Sequence, residues 1–281
     1  MKKTPIKSHK IRDNTIFLED AISGMNKLET GSVDLAIADP PYSASSATPS
    51  QLISNHGLEG FGGQWTAASH DWDFLDLNHN MSFTMAWLSE LKRLVKPEGS
   101  IWIHSTYHNS GIVNVACQAL GLEIINEVVW FKRNSFPNLR ATRLTASHET
   151  ILWVHTGGSK RRYRFNYADI KKAQYEGDRL KEADKQMRTV WDIPNNKTRQ
   201  ELSLGKHPTQ KPERVIQRLL DISAPKSGLL LSPFLGSGTD LVVGMRNGLN
   251  GIGFELNQEY YDLASSRLDA ESADVDGKLF R

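Results

Sequence analysis

Four consecutive residues, Asp39-Pro40-Pro41-Tyr42, set a carboxylate, a stiff prolyl pair and an aromatic ring directly after the apolar run Val33-Asp34-Leu35-Ala36-Ile37-Ala38. The run reads as a buried parallel strand, so the tetrapeptide stands at a strand's carboxyl end, where open α/β sheets bind ligands. Each prolyl ring fixes φ, and the second also restricts the residue before it, so the Pro40 carbonyl is kept out of any helix. An exocyclic amine on a planar ring needs such a set: two acceptors for its hydrogens and a surface on which the ring stacks.

A second stretch, Ser232-Pro233-Phe234-Leu235-Gly236-Ser237-Gly238-Thr239, lies between an expected strand at 229–231 and an expected helix at 240–247. Its glycines permit a tight turn and let backbone approach a ligand with no side chain in the way. Glu255, at the end of the next expected strand (251–254), is placed to accept both ribose hydroxyls. These residues imply a bound nucleoside. A phosphate-binding P-loop would need Lys and then Ser or Thr after the last glycine, where Thr239-Asp240 stand, and the dinucleotide fingerprint needs a third glycine where Leu241 stands. Asp240 also disfavours a pyrophosphate while tolerating an ammonium.

Two strand-end sites point to an open α/β sheet, and 281 residues with 39% hydrophobic content can bury a full core as one large domain or one domain with an insertion, taken as a single domain over 1–281. A formal charge of +2 is only weakly basic, so any nucleic-acid surface must come from local clustering. The single cysteine, Cys117, excludes a disulfide framework and a Cys-rich zinc site, and no metal is expected. No apolar run approaches 18 residues, which points to a cytoplasmic protein without membrane contact. Strands are expected at 15–18, 100–104, 122–131 and 149–155, the last two as an antiparallel edge. Helices are expected at 21–28, 83–94, 109–120, 213–222 and 258–268. Residues 1–13 read as a basic tail, and 43–80 as a long loop whose Phe61, Trp65 and Trp72 either close over substrate or anchor the loop.

The two motifs resemble those of the amino-methyltransferases of DNA, and their order, catalytic motif first and glycine loop late, is that of the β class. The resemblance runs from about Asn14 to Leu268. It implies a doubly wound, mostly parallel Rossmann-like sheet with an antiparallel edge and an inserted target-recognition region. The catalytic half is expected at about 14–156, the recognition region at about 135–205 and the cofactor half at about 206–268. It implies S-adenosylmethionine as cofactor, with Asp39, Pro40, Pro41 and Tyr42 as catalytic residues. Asp39, Ser232, Phe234, Gly236, Ser237, Gly238, Thr239 and Glu255 are implied to hold the cofactor. Asp20 corresponds to an acidic residue near the cofactor's adenine, and reads equally well as a helix N-cap. Thr209 and Lys211, in His207-Pro208-Thr209-Gln210-Lys211-Pro212, correspond to residues near the methionine carboxylate; Pro212 also suits a first helical turn. Ser232 departs from the family's usual Asp and loses a charge attraction, so a modest cofactor affinity is expected.

Double-stranded DNA is the implied partner, with a homodimer and a cognate restriction endonuclease left open. Trp130-Phe131-Lys132-Arg133-Asn134 resembles a stretch flanking the target base, and the connection carrying Arg140 and Arg143 continues it. From 157 to 204 basic residues, among them Arg161, Arg162 and Arg164, interleave with Tyr163, Phe165, Tyr167 and Tyr175, and target recognition is expected there. The favoured activity is site-specific methylation of N6 of a flipped-out adenine. N4 methylation of cytosine and a catalytically silent DNA-binding subunit are the alternatives. Cytosine-C5 chemistry needs a cysteine nucleophile, usually after Pro, whereas Cys117 follows Ala116 on an expected helix. Protein-glutamine methylation places its cofactor loop before the Pro-Pro motif, the reverse of the order here.

Overall fold

The computed structural model describes residues 6–42, 58–60, 63–65, 77–137, 142–158, 163–173, 175 and 185–279. Nine strands make one sheet. In chain order they are β1 (Ser8–Ile11), β2 (Asn14–Leu18), β3 (Val33–Ala38), β6 (Val95–Ser105), β7 (Glu123–Phe131), β8 (His148–His155), β9 (Val190–Asp192), β10 (Leu229–Ser232) and β11 (Asn250–Glu255). A separate hairpin joins β4 (Leu58–Gly60) to β5 (Gly63–Trp65). The order across the main sheet is β1-β2-β11-β10-β3-β6-β8-β7-β9. Strands β2, β11, β10, β3 and β6 run parallel, β8 is antiparallel to β6 and β7, β9 is parallel to β7, and β1 is antiparallel to β2.

Alternation along each strand sorts the core into two layers. Ala36, Ala38, Ile101, Ile103 and Leu152 pack with α1 (Ala21–Met25), α2 (Leu77–Leu94) and α3 (Ser110–Ala119). Leu35, Ile37, Trp102, Ile151 and Trp153 face α5 (Glu213–Ser223), α6 (Thr239–Arg246) and α7 (Gln258–Leu279), with α4 (Tyr167–Lys172) at the margin through Ile170. Three buried indoles have their N–H groups paired: Trp102 donates to Ser223 Oγ, Trp153 to Ser100 Oγ and Trp130 to the Ile193 carbonyl. The two helical layers make the expected doubly wound architecture.

Several boundaries differ from those read in the sequence. Residues 8–11 are a strand rather than a tail, because Ile11 is buried while Lys7 and His9 pair with Asp262 and Asp269 of α7. Helix α1 stops at Met25, short of 28, and α2 begins at Leu77 rather than 83. Pro97-Glu98-Gly99 lie inside β6 rather than between elements, at a register shift against β3 that spares proline a ladder bond. The β7/β8 pair is antiparallel as expected, but β9 covers it, so the true edge is a three-residue strand. Phe61 and Trp72 lie outside the described residues.

Candidate active site at the carboxyl edge of the sheet

Strands β3 and β10 are neighbours, with Leu35 opposite Leu230 and Ala36 opposite Leu231. From β10 the chain winds to β11 on one side, and from β3 to β6 on the other, so the crevice between them is the topological switch point of the sheet. Asp39 leaves β3 there, and the Ser232–Thr239 loop leaves β10 beside it. One cavity is lined by Asp39, Pro40, Pro41 and Tyr42 together with Ser237, Gly236, Phe234, Glu255, Asp20, Thr209 and Lys211. Every cofactor residue inferred from the sequence lies on that cavity except Ser232 and Gly238, which stand just behind its wall.

The Asp39 carboxylate is held from two sides. The Tyr42 hydroxyl donates to Oδ1, and Lys211 Nζ donates to Oδ2 at 2.6 Å and to Tyr42 Oη at 2.6 Å. Burial pushes Asp39 up, but the Lys211 ammonium, with His104 and the hydroxyl of Tyr42, holds it below the usual carboxylate range. Lys211 also lies 3.6 Å from Glu149, which is ion-paired with Lys132. His104 is fully buried on β6, and neither ring nitrogen has a hydrogen-bond partner among the described residues. Burial, reinforced by Lys211, brings it down to about 4, so it is neutral at pH 7. An ionised, clamped carboxylate beside a tyrosine ring is suited to accept hydrogens from an amine.

The glycine loop forms as its spacing requires. Gly236 and Gly238 take φ of 52° and 74°, and a Cβ on Gly238 would lie 3.0 Å from the Ala264 side chain. Glu255 Oε2 accepts the Gly236 N–H and Oε1 the Asn257 N–H, both at 2.8 Å, which leaves each oxygen a lone pair for a ribose hydroxyl. Asp20 accepts the Ser23 N–H at 2.8 Å as N-cap of α1, and it also lines the cavity. The donor set therefore fits a nucleoside: a carboxylate at the diol, apolar walls from Phe234, Phe254 and Leu256, and glycine backbone. Thr239 also lines the cavity, and its hydroxyl accepts from Arg267 at 2.8 Å.

The basic residues divide between the two edges of the sheet. Lys132, Arg133, Asn134 and Arg143 lie at the edge carrying Asp39. There Arg133 pairs with Asp192, Asn134 accepts the Asn195 N–H, and the exposed Arg143 donates to the Tyr107 hydroxyl. Arg164 lies at the opposite edge: its N–H bonds the carbonyl of Glu98, six residues before His104 on β6 and thus about 20 Å along the strand. Arg140, Arg161 and Arg162 fall outside the described residues.

Comparison with known proteins matches a family model described as DNA methylase, the N6/N4 group, over residues 33–266. The chain belongs to this family. It is 36% identical over 255 residues to the type II methyltransferase M2.DpnII of Streptococcus pneumoniae, covering 90% of this chain and 88% of the relative. Its fold is similar to that of PvuII DNA methyltransferase, described as cytosine-N4-specific (TM-score 0.67, 15% identity, 93% and 90% covered). It also resembles a DNA modification methylase of Thermus thermophilus, TTHA0409, solved with S-adenosylmethionine (TM-score 0.61, 21% identity, 91% and 93% covered). Among the described residues no helix is long and apolar enough to cross a membrane, and no cluster of metal-ligating side chains occurs.

Whereas Asp240 reads in the sequence as a charge beside the cofactor loop, sequence reasoning missed Glu149, His104 and Lys197 as members of the charged cluster. Glu149 was within reach of it, since Glu149, Ile151 and Trp153 alternate onto one face and Trp130 pairs opposite Glu149. Lys197 carried no signal: it follows irregular chain after β9, and burial near Lys211 and Lys132 brings it down to about 8.

Proposed function

We propose that this DNA methylase transfers a methyl group to N6 of adenine in double-stranded DNA, with Asp39 and the Pro40 carbonyl holding the amino hydrogens and Tyr42 stacking on the flipped base. The observation that carries this reading is the ionised Asp39 carboxylate opening onto the same cavity as the glycine loop and Glu255. S-adenosylmethionine, the family's cofactor, supplies an electrophilic methyl group on a sulfonium. Glu255, Asp20 and the Gly236–Gly238 backbone would hold its nucleoside, and Asp240 would stand toward its methionine end. Asp39 drains the amine's hydrogens away from the ring plane, which makes the nitrogen lone pair available as the methyl group approaches. The cost of extruding the base, a few kcal/mol, is offset by stacking and by these hydrogen bonds. Cys117 takes no part: it is buried on α3, and burial pushes its thiol up to about 12.

Adenine is favoured over cytosine because Asp, rather than Ser, opens the Asp39-Pro40-Pro41-Tyr42 motif, and the resemblance ties Asp to adenine. The type II relative supports a place beside a cognate endonuclease. Single-molecule sequencing of DNA from a methylation-free host expressing the chain reports base and site together. N6-methyladenine at one short motif is expected. N4-methylcytosine would move the assignment to the alternative base, and DNA binding without methylation would make the chain a silent subunit.

A further inference from the structure

The resemblance places Lys211 at the methionine carboxylate of the cofactor, but the structure pairs its ammonium with Asp39 and Tyr42. We propose that Lys211 is a positioning residue for methyl transfer, a counter-ion wedged between Asp39, Tyr42 and Glu149 that keeps the amine-accepting carboxylate ionised and aimed. This rests on the reading of Asp39 as the amine's acceptor.

An ammonium has three hydrogens. Those of Lys211 face Asp39 Oδ2 at 2.6 Å, Tyr42 Oη at 2.6 Å, and the Thr209 carbonyl at 3.5 Å, with Glu149 at 3.6 Å on the same side. The Tyr42 hydroxyl closes a three-membered ring by donating to the other Asp39 oxygen. Both catalytic side chains are thereby fixed, while each Asp39 oxygen retains a lone pair for the amine. Only the hydrogen facing the Thr209 carbonyl at 3.5 Å lies outside this ring, so the ammonium's two short bonds are spent on Asp39 and Tyr42. Lys211 is buried, with 6% of its side chain exposed, so water does not screen the pairing.

Lys197, another lysine of the cluster, interacts with Lys211, Lys132, Glu149 and Glu201, while the charges acting on Asp39 come from Lys211 and His104. Tyr42 follows β3 and is neutral, His104 on β6 is neutral at pH 7, Asp240 on α6 is acidic, and Glu149 on β8 and Lys132 after β7 are paired with each other. Glu149, held by Lys132, adds a second carboxylate 3.6 Å from the Lys211 ammonium. Remove the ammonium and burial is opposed only by His104 and the Tyr42 hydroxyl, so Asp39 rises, protonates at higher pH and loses an acceptor. Turnover requires the ionised form, so the acid limb of the rate profile must move up.

The test compares the full chain with Lys211→Met, Lys211→Arg and Asp39→Asn, measuring initial rates against pH at saturating S-adenosylmethionine and DNA, and S-adenosylhomocysteine binding by calorimetry. Expected for Lys211→Met is a fall in kcat of about 10²-fold. An acid limb should also appear where wild type is flat, with cofactor affinity within about tenfold. Lys211→Arg restores the flat profile. If Lys211→Met does not melt cooperatively, Lys211→Gln, which keeps a donor for Tyr42, carries the same comparison. A cofactor Kd raised about 100-fold with kcat and pH profile unchanged would return Lys211 to the methionine carboxylate and overturn the proposal. Full turnover in Asp39→Asn would instead remove the reading beneath it.

Discussion

Ser232 illustrates how a single side chain is judged by its neighbours. Where the family usually has Asp, its hydroxyl donates at 2.8 Å to the carboxylate of Asp240, a residue eight positions on that lines the cofactor cavity. A carboxyl group thus stands beside Ser232 from the first turn of α6, where the family's Asp would have placed one. Burial, joined by the Asp39 charge and only partly countered by the Ser232 hydroxyl, pushes Asp240 up to about 7. A raised carboxyl is bound to its proton more tightly in the folded state, so its contribution to stability is present below the ordinary carboxylate range and is lost as pH rises through about 7. A cationic ligand favours the ionised form. Cofactor affinity should therefore climb between about pH 6 and pH 8 with proton release on binding, and Asp240→Asn should flatten that dependence, as calorimetry in two buffers of different ionisation enthalpy would show. In the same loop, Gly238→Val forces a side chain into Ala264 at positive φ and should abolish cofactor binding. Glu255→Ala should weaken it by about 1–3 kcal/mol.

At the scale of elements, the parts legible in the sequence were those with a period. Residues 33–38 read as a strand and are one, and β8 emerged from an apolar run expected to begin at Glu149, against an observed start at His148. The antiparallel β7/β8 pair was legible because both runs are rich in β-branched and aromatic residues. What escaped was set by tertiary contact. Strand β1 looks like a basic tail until Asp262 and Asp269 of α7 are placed against it, and β9 offers only Val190-Trp191-Asp192, too short for any period. The basic stretch of 157–204 was read as one surface, yet β8 carries the chain away from the catalytic edge and β9 carries it back. Composition cannot register that reversal. DNA contact should accordingly centre on the β7–β8 connection: Arg143→Ala should reduce the slope of log affinity against log salt by about 1, whereas Arg164→Ala should leave it unchanged, measured by fluorescence anisotropy from about 50 to 200 mM salt.

Across the whole molecule the site is a seam between distant parts of the chain. Asp34 Oδ2 accepts the N–H of Leu229 across 195 residues, and Lys211 reaches Asp39 across 172. A ligand seated on both sides of the seam binds only the folded state, so cofactor at about 100 times its Kd should add roughly 2.7 kcal/mol, seen as a melting shift of several degrees that Gly238→Val loses.

The neighbouring of β3 and β10 also dates the enzyme within its own synthesis. Strand β3 is made early, but its partner on the cofactor side leaves the ribosome 195 residues later, on the order of 10 to 40 s at ordinary elongation rates. Throughout that interval the nascent chain presents β3 as an open strand edge, a site for mispairing that a chaperone or rapid completion must cover. It also carries its catalytic motif with nothing to deliver a methyl group, so a polysome of half-made copies is inert toward the chromosome beside it. Modification begins with finished molecules, and any stop codon before β10 yields a fragment that is aggregation-prone and silent at once.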